Sequence, residues 1–317
     1  MTHRERATKA LQLGIPDYVP TFEIDFQETA AWFGGRTFFG IAGEPDRIGK
    51  TPQEMNRHNA QLRVDIARRL EHSIIVSSFV PGCPGRSYAE ESAEQIAMLR
   101  ELVGSEIMVL GGGDPTYEIP GAEMMSFVEK LYDDPDGMKE EAQRRVDGTL
   151  ENFHRFKSAG ADGFVLWSDY AFNAGPFLSP DMFGEFITPY LKQTIDEIRS
   201  MDCYAIKHTD GNLMPVIDQI VACGPHALHS IDPMAGMDIR GIKAQYGRKI
   251  CLIGNVHCAF MQTGTPEQIR ESAEYAMMHG KPGGGYIFST SNVVFKGMPL
   301  ESYEIIQDVW RRMRHYA

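Results

Sequence analysis

What this sequence has little of narrows it quickly. Its five cysteines, Cys83, Cys203, Cys223, Cys251 and Cys258, are odd in number and nowhere spaced Cys-x-x-Cys. That argues against a zinc ribbon and a disulfide framework and leads us to expect reduced thiols and a cytoplasmic protein. No apolar run reaches the roughly 20 residues of a membrane span, and the opening MTHRERATKA does not read as a signal peptide. Positive charge is scarce: 31 Lys and Arg stand against 43 Asp and Glu, a formal net charge of −12. Neither nucleic acid nor a membrane is therefore expected as a partner. Phosphate loops are missing too. Gly283-Gly284-Gly285 precedes a strand rather than following one, and Gly111-Gly112-Gly113 lacks the Lys-Ser/Thr of a P-loop. There is no internal repeat, and no linker divides the chain. The 17 methionines read as adaptable core filler.

What is present is a recurring short apolar strand. Eight are expected: Val19–Ile24, Ser73–Ser77, Glu106–Leu110, Gly163–Trp167, Cys203–Lys207, Ala227–Ile231, Ile250–Ile253 and Gly285–Phe288. Helical segments separate nearly all of them. Thr51-Pro52-Gln53-Glu54 and Thr265-Pro266-Glu267-Gln268 are capping boxes that open helices to about Glu71 and Met278. Glu94–Val103, Pro120–Leu131, Pro135–Ser158, Ser179 to about Ser200, Leu213–Cys223 and Leu300–Tyr316 also read as helical, and Thr37–Pro52 as an irregular insertion. This count and order predict an α/β fold, a (β/α)8 TIM barrel. Residues 1–317 would form a single domain with an N-terminal helical extension. A doubly wound open sheet is the alternative.

In a barrel all strand C-termini face one mouth. Here those ends carry Glu23, Asp25, Asp114, Asp169, His208, Asp210, Asp232, Asn255, His257 and Asn292. Imidazole and carboxylate oxygen together suit zinc acting as a Lewis acid; without metal, the same groups suit general acid–base work. The plainest case is His208-Thr209-Asp210, just past the fifth strand. The competing reading is local: Asp210 caps the next helix, Asp232-Pro233 is turn chemistry, and His257 is a solvent-exposed histidine.

Taken together, RERATKALQLGIPDYVP, WSDYAFNAGPFLSPDMFGEFITPYLK, KHTDGNLMPVIDQIV, DPMAGMDIRGIKAQYG, LIGNVHC and PGGGYIFSTSNVV resemble the uroporphyrinogen decarboxylase superfamily, in order over nearly the whole chain. That superfamily includes corrinoid-linked methyltransferases. The resemblance implies a barrel with its active site at the C-terminal mouth. The decarboxylases' arginine-containing motif after the first strand is absent from TFEIDFQET, and Asn292 stands where they carry a late histidine. Methyltransferases acting on coenzyme M bind zinc through His-x-Cys and a later cysteine; this chain keeps His208 but has Asp210 and Asn292 in place of the thiolates. Relatives that demethylate methoxylated compounds match this pattern better.

The resemblance thus implies a methyltransferase that moves a methyl group from a small O-methyl (or N-methyl) donor to the cobalt of a corrinoid carried by a partner protein. His208, Asp210 and Asp169 would be catalytic, and Trp167, Tyr170, Asn255 and Asn292 would bind substrate, with Phe172 as a further aromatic wall. His208 and Asp210, with Asp232, Glu23 or His257, would hold zinc. Two alternatives stay open: a metal-free decarboxylase on another substrate, with His208 and Asp210 delivering a proton, and a non-catalytic corrinoid- or tetrapyrrole-binding protein.

Overall fold

A computed structural model describes residues 1–29 and 31–316. Seven parallel strands form one sheet in the order β1 (Ile74–Val76), β2 (Met108–Gly112), β3 (Gly163–Leu166), β6 (Tyr204–Thr209), β7 (Ala227–Ser230), β8 (Cys251–Val256) and β9 (Tyr286–Thr290). The short strands β4 (Ala171–Phe172) and β5 (Gly175–Pro176) pair as a separate antiparallel hairpin. All six sheet pairings are parallel, so every C-terminal end lies on one side. Helices Tyr88–Val103, Pro135–Ser158, Thr188–Ser200 and Pro266–Gly280 run between successive strands, Pro52–Leu70 precedes β1 and Leu300–Met313 follows β9.

The strands are apolar on both faces because both are covered. Ile74, Val76, Met108, Leu110, Val165, Ile206, Ala227, Cys251, Ile253 and Ile287 form one buried cluster. Their alternates Ile75, Val109, Phe164, Ala205, Leu228, Leu252 and Phe288 pack into a second, larger one with the helices. This is the period-2 alternation of a strand. Phe22 and Ile24 join the first cluster, so the segment carrying them shares the interior lined by the seven strands.

That segment, expected as a first strand over Val19–Ile24, is not regular. It makes isolated parallel bridges at Thr21–Phe288 and Phe26–Val294, and on its other side Ser73 N donates to Thr21 O at 2.7 Å. It therefore lies between the first and last strands of the sheet and bonds to both. Pro20, which has no N–H to donate, sits just before the bridged residues.

The remaining differences are local. The helix expected from Glu94 begins at Tyr88, because Ser87 and Glu90 form a capping box. The helix after Ser179 breaks at Ile187 into Pro180–Phe186 and Thr188–Ser200, the second with proline in its first turn. Only Ile217–Ala222 of the expected Leu213–Cys223 is helical. No helix of the described chain is long and apolar enough to cross a membrane.

Candidate functional site

Strand alternation builds the site directly. Two residues on from the inward-facing Ile206, Ala227, Ile253 and Ile287 come His208, His229, Asn255 and Ser289. Period 2 thus stacks a polar layer on the apolar interior at the C-terminal end of the sheet. His208 and His229 are register partners across β6 and β7. Asp169, Asp210, Asp232 and Asn292 follow β3, β6, β7 and β9 on the same side.

Three of these side chains converge. Nε2 of His208 lies 4.0 Å from Oδ1 of Asp169 and 4.0 Å from Oδ1 of Asp210. Among the described residues, this is the one group of three His, Cys, Asp or Glu side chains placed to share a metal ion. Asp210 N donates to Asp169 Oδ1 at 2.9 Å, fixing one carboxylate against the other's backbone. Asn292 Nδ2 donates to Asp210 Oδ2, while Asp210 Oδ1 is buried with no hydrogen-bond partner among the described residues. Burial first, then the neighbouring Asp169, pushes the Asp210 carboxyl up to about 7. Burial also drives the His208 imidazole down to about 3, with Lys207 adding to the effect. The cluster therefore combines a neutral imidazole with two oxygen donors, one of them unpartnered, and that donor set fits zinc.

A cavity of about 820 Å³ opens beside Asp210. Its lining includes Phe172, Asp210, Asp232, Met234, Cys258 and Asn292, and no lysine or arginine. Phe172 and Met234 are about half exposed at its rim.

Other expected residues lie elsewhere. Asp232 borders the cavity, but its oxygens accept from Gly211 N and Met234 N, so backbone amides already occupy them. His257 stays outside the cluster, its ring stacked on Phe260 at 4.0 Å between centroids. Asn255 donates to Ile231 O and is not part of the cavity wall. The expectation that Tyr170 walls the substrate is corrected. Tyr170 is fully buried, its hydroxyl 2.6 Å from Thr116 Oγ1 and its ring 3.9 Å from Lys207 Nζ. Trp167, in phase with Val165, covers Gly112, where an added Cβ would come within 2.0 Å of the indole. It packs on the interior cluster rather than lining the cavity. Of the three aromatics, the β4–β5 hairpin presents Phe172 to the cavity.

Glu23 as a metal ligand is likewise corrected: its carboxylate is buried among Ser289, Thr290 and Tyr303. Thr290 Oγ1 lies 2.5 Å from both Glu23 Oε2 and the Asn292 carbonyl oxygen. One hydroxyl hydrogen cannot serve two acceptors, and a carbonyl only accepts. We therefore expect Glu23 to be held as a neutral acid that donates to Thr290. Burial pushes its carboxyl from 4.5 to about 7, against the hydrogen bonds that lower it. A raised folded-state pKa contributes stability that is complete below about pH 4.5 and lost as pH rises through about 7. Glu23→Gln keeps the donor without the ionisation. It is expected to match the wild type at pH 4 and to exceed it at pH 8 by about 3 kcal/mol, at about 1.4 kcal/mol per pH unit. Urea melts at the two pH values check this, and an equal difference at both would refute the neutral-acid assignment.

His229 and Lys207 also support the site, although neither was among the residues expected there from the sequence. His229 is fully buried inside an apolar strand, and the polar pair His229-Ser230 there was the available signal.

Comparison with known proteins adds the family. Uroporphyrinogen decarboxylase from Colwellia psychrerythraea is 22% identical over 240 residues, covering 70% of this chain and 64% of that protein. The same enzyme from Pseudoalteromonas translucida is 25% identical over 211 residues, covering 60% and 54%. The matched region thus spans less than two thirds of either relative. Among solved structures, a methyltransferase from Methanosarcina mazei superposes with a TM-score of 0.74 at 18% identity, covering 98% of this chain and 99% of that one. A putative vitamin-B12 independent methionine synthase from Listeria monocytogenes gives 0.51 at 14% identity, covering 92% and 97%. At such identities these two speak for the fold alone. The uroporphyrinogen decarboxylase (URO-D) family model matches residues 93–313, well over half of the sequence, and the chain belongs to that family.

Proposed function

We propose that this chain is a methyltransferase that moves a methyl group from a small O-methyl (or N-methyl) donor to the cobalt of a corrinoid held by a separate protein. In this reading the segment 19–26 acts as the eighth stave of a closed (β/α)8 barrel, and the reaction occupies its mouth. The observation that carries the proposal is the composition of the cavity: Asp210 and Asp232 in its wall with no basic residue. A polyanionic porphyrinogen would meet like charge there without compensation, whereas a small neutral methyl donor would not. The three-donor cluster at its edge supports the same reading.

His208, Asp169 and Asp210 would hold zinc, which supplies Lewis-acid polarisation of the donor's leaving oxygen. The partner's corrinoid would supply the methyl acceptor; the carbon–oxygen bond would break with its electron pair left on the oxygen, and that oxygen would take a proton from solvent. Asn292 steadies the Asp210 carboxylate, Asp169 orients the donor, and Phe172 offers an apolar face to its body.

Metal analysis and turnover test this together. Stoichiometric zinc lost on His208→Ala is expected, along with cobalt methylation when the protein is mixed with a Co(I) corrinoid protein and a panel of methoxyarenes. No methylation across a broad panel would count decisively against it. A second reading, a metal-free decarboxylase, is favoured by one observation: Asp210, with its pKa raised to about 7, can deliver a proton near neutrality. Zinc-free turnover with release of carbon dioxide would select it.

A further inference from the structure

Behind His208 lies a residue that the cavity does not reach. His229 is fully buried, and its Nδ1 lies 2.8 Å from Nδ1 of His208. Its other nitrogen, Nε2, is 3.0 Å from the Thr290 carbonyl oxygen and 3.5 Å from Ser289 Oγ. A carbonyl oxygen only accepts, so Nε2 of His229 carries a hydrogen. No carboxylate touches His229 among the described residues, and burial without a counter-charge keeps its ring neutral. Nδ1 of His229 is therefore a bare lone pair, and the hydrogen in the short contact belongs to His208. The neutral imidazole of His208 then has no hydrogen on Nε2, the atom facing Asp169 and Asp210 at 4.0 Å.

We infer that His229 is a positioning residue that locks His208 in its Nδ1–H tautomer, so that Nε2 is presented unprotonated to the Asp169–Asp210 pair. The role is relevant to catalysis only if the proposed site is the active one, but the tautomer can be read without substrate or metal. Thr290 anchors the arrangement. Its carbonyl holds His229, and its amide and hydroxyl hold Glu23. The strand-end turn through Asn292 also supports Asp210. Both sides of the cluster thus hang on one turn.

Long-range nitrogen–proton NMR on the histidine-labelled, metal-free full chain provides the test. His208 is expected as Nδ1–H in the wild type. In His229→Gln the amide oxygen accepts from His208 while its NH₂ serves Thr290 O, so the tautomer is expected to persist and zinc affinity to stay within about threefold. In His229→Phe the acceptor is gone; the tautomer is expected to shift and zinc affinity to fall on the order of 10- to 100-fold. An Nε2–H signal for His208 in the wild type, its loss of Nδ1–H in the Gln variant, or an unchanged spectrum in the Phe variant would each overturn the assignment. If the Phe variant does not fold, the wild-type and Gln spectra still decide. A wild-type protein that binds no zinc yet shows Nδ1–H would undermine the proposed metal chemistry while upholding the role of His229.

Discussion

Asp210→Asn is expected to abolish zinc binding and lower the methyl-transfer rate on the order of 10³-fold, while making the metal-free protein more stable at pH 8. That pairing of signs separates a working carboxylate from a structural one. In the metal-free protein, burial and the nearby Asp169 and Asp232 raise the Asp210 carboxyl from 3.8 to about 7. The stability this contributes is complete below the ordinary carboxylate pKa and lost as pH rises through about 7. At pH 8 the ionised group therefore strains the fold. The side chain is 26% exposed, and solvent reduces the strain to about 2–3 kcal/mol. Asparagine carries no charge, so it escapes this loss. Its carbonyl oxygen can still accept from Asn292, and its NH₂ turns toward His208 and Asp169. Thermal melts with chelator at pH 5 and pH 8, set beside single-turnover cobalt methylation, check both halves. A variant within tenfold of the wild-type rate, or one less stable at pH 8, would remove Asp210 from the chemistry.

The sequence made the frame of this site legible through signals that depend on few neighbours. Continuous apolar runs such as GFVLW mark strands covered on both faces, and capping boxes at Thr51–Glu54 and Thr265–Gln268 place helix starts to the residue. Asp169, His208 and Asp210 were findable because they end strands, and parallel strands gather their ends on one side. Which way a strand-end side chain points was not legible. A shift of one residue in a strand sends a side chain to the opposite face, and Glu23, beside the inward Phe22 and Ile24, turns to Tyr303 on the closing helix. Tyr170 and Phe172 are two residues apart with similar chemistry. Only the β4–β5 hairpin decides that the second meets the cavity while the first is buried beside Lys207. His229 was hidden for a related reason: its partner lies on the neighbouring strand, 21 positions away.

Lys207 shows most sharply what a single strand conceals. In the sequence it is the one charge of an apolar strand, at that strand's end, yet both it and Asp114 have fully buried side chains, 2.7 Å apart. Lys207 Nζ also donates to Ser168 O at 2.8 Å, and Asp114 Oδ2 accepts from Ser168 N at 3.1 Å. Both peptide groups of Ser168, the residue before Asp169, are therefore clamped by one ion pair. Burial alone would raise the Asp114 carboxyl, but Lys207 and the bonds from Thr116 outweigh it and hold it below its ordinary value. Lys207→Met leaves that carboxylate buried and unpaired, which is expected to destabilise the fold by about 3–5 kcal/mol. Lys207→Met combined with Asp114→Asn removes the stranded charge and is expected to recover most of the loss, because two neutral groups in a dry site carry little desolvation penalty. Urea midpoints of the single and double variants test the coupling; simple additivity would mean that the pair does not act as a unit. The double variant should still turn over more slowly, since Ser168 loses its two charged anchors and the Asp169 carboxylate is no longer held to its place beside His208.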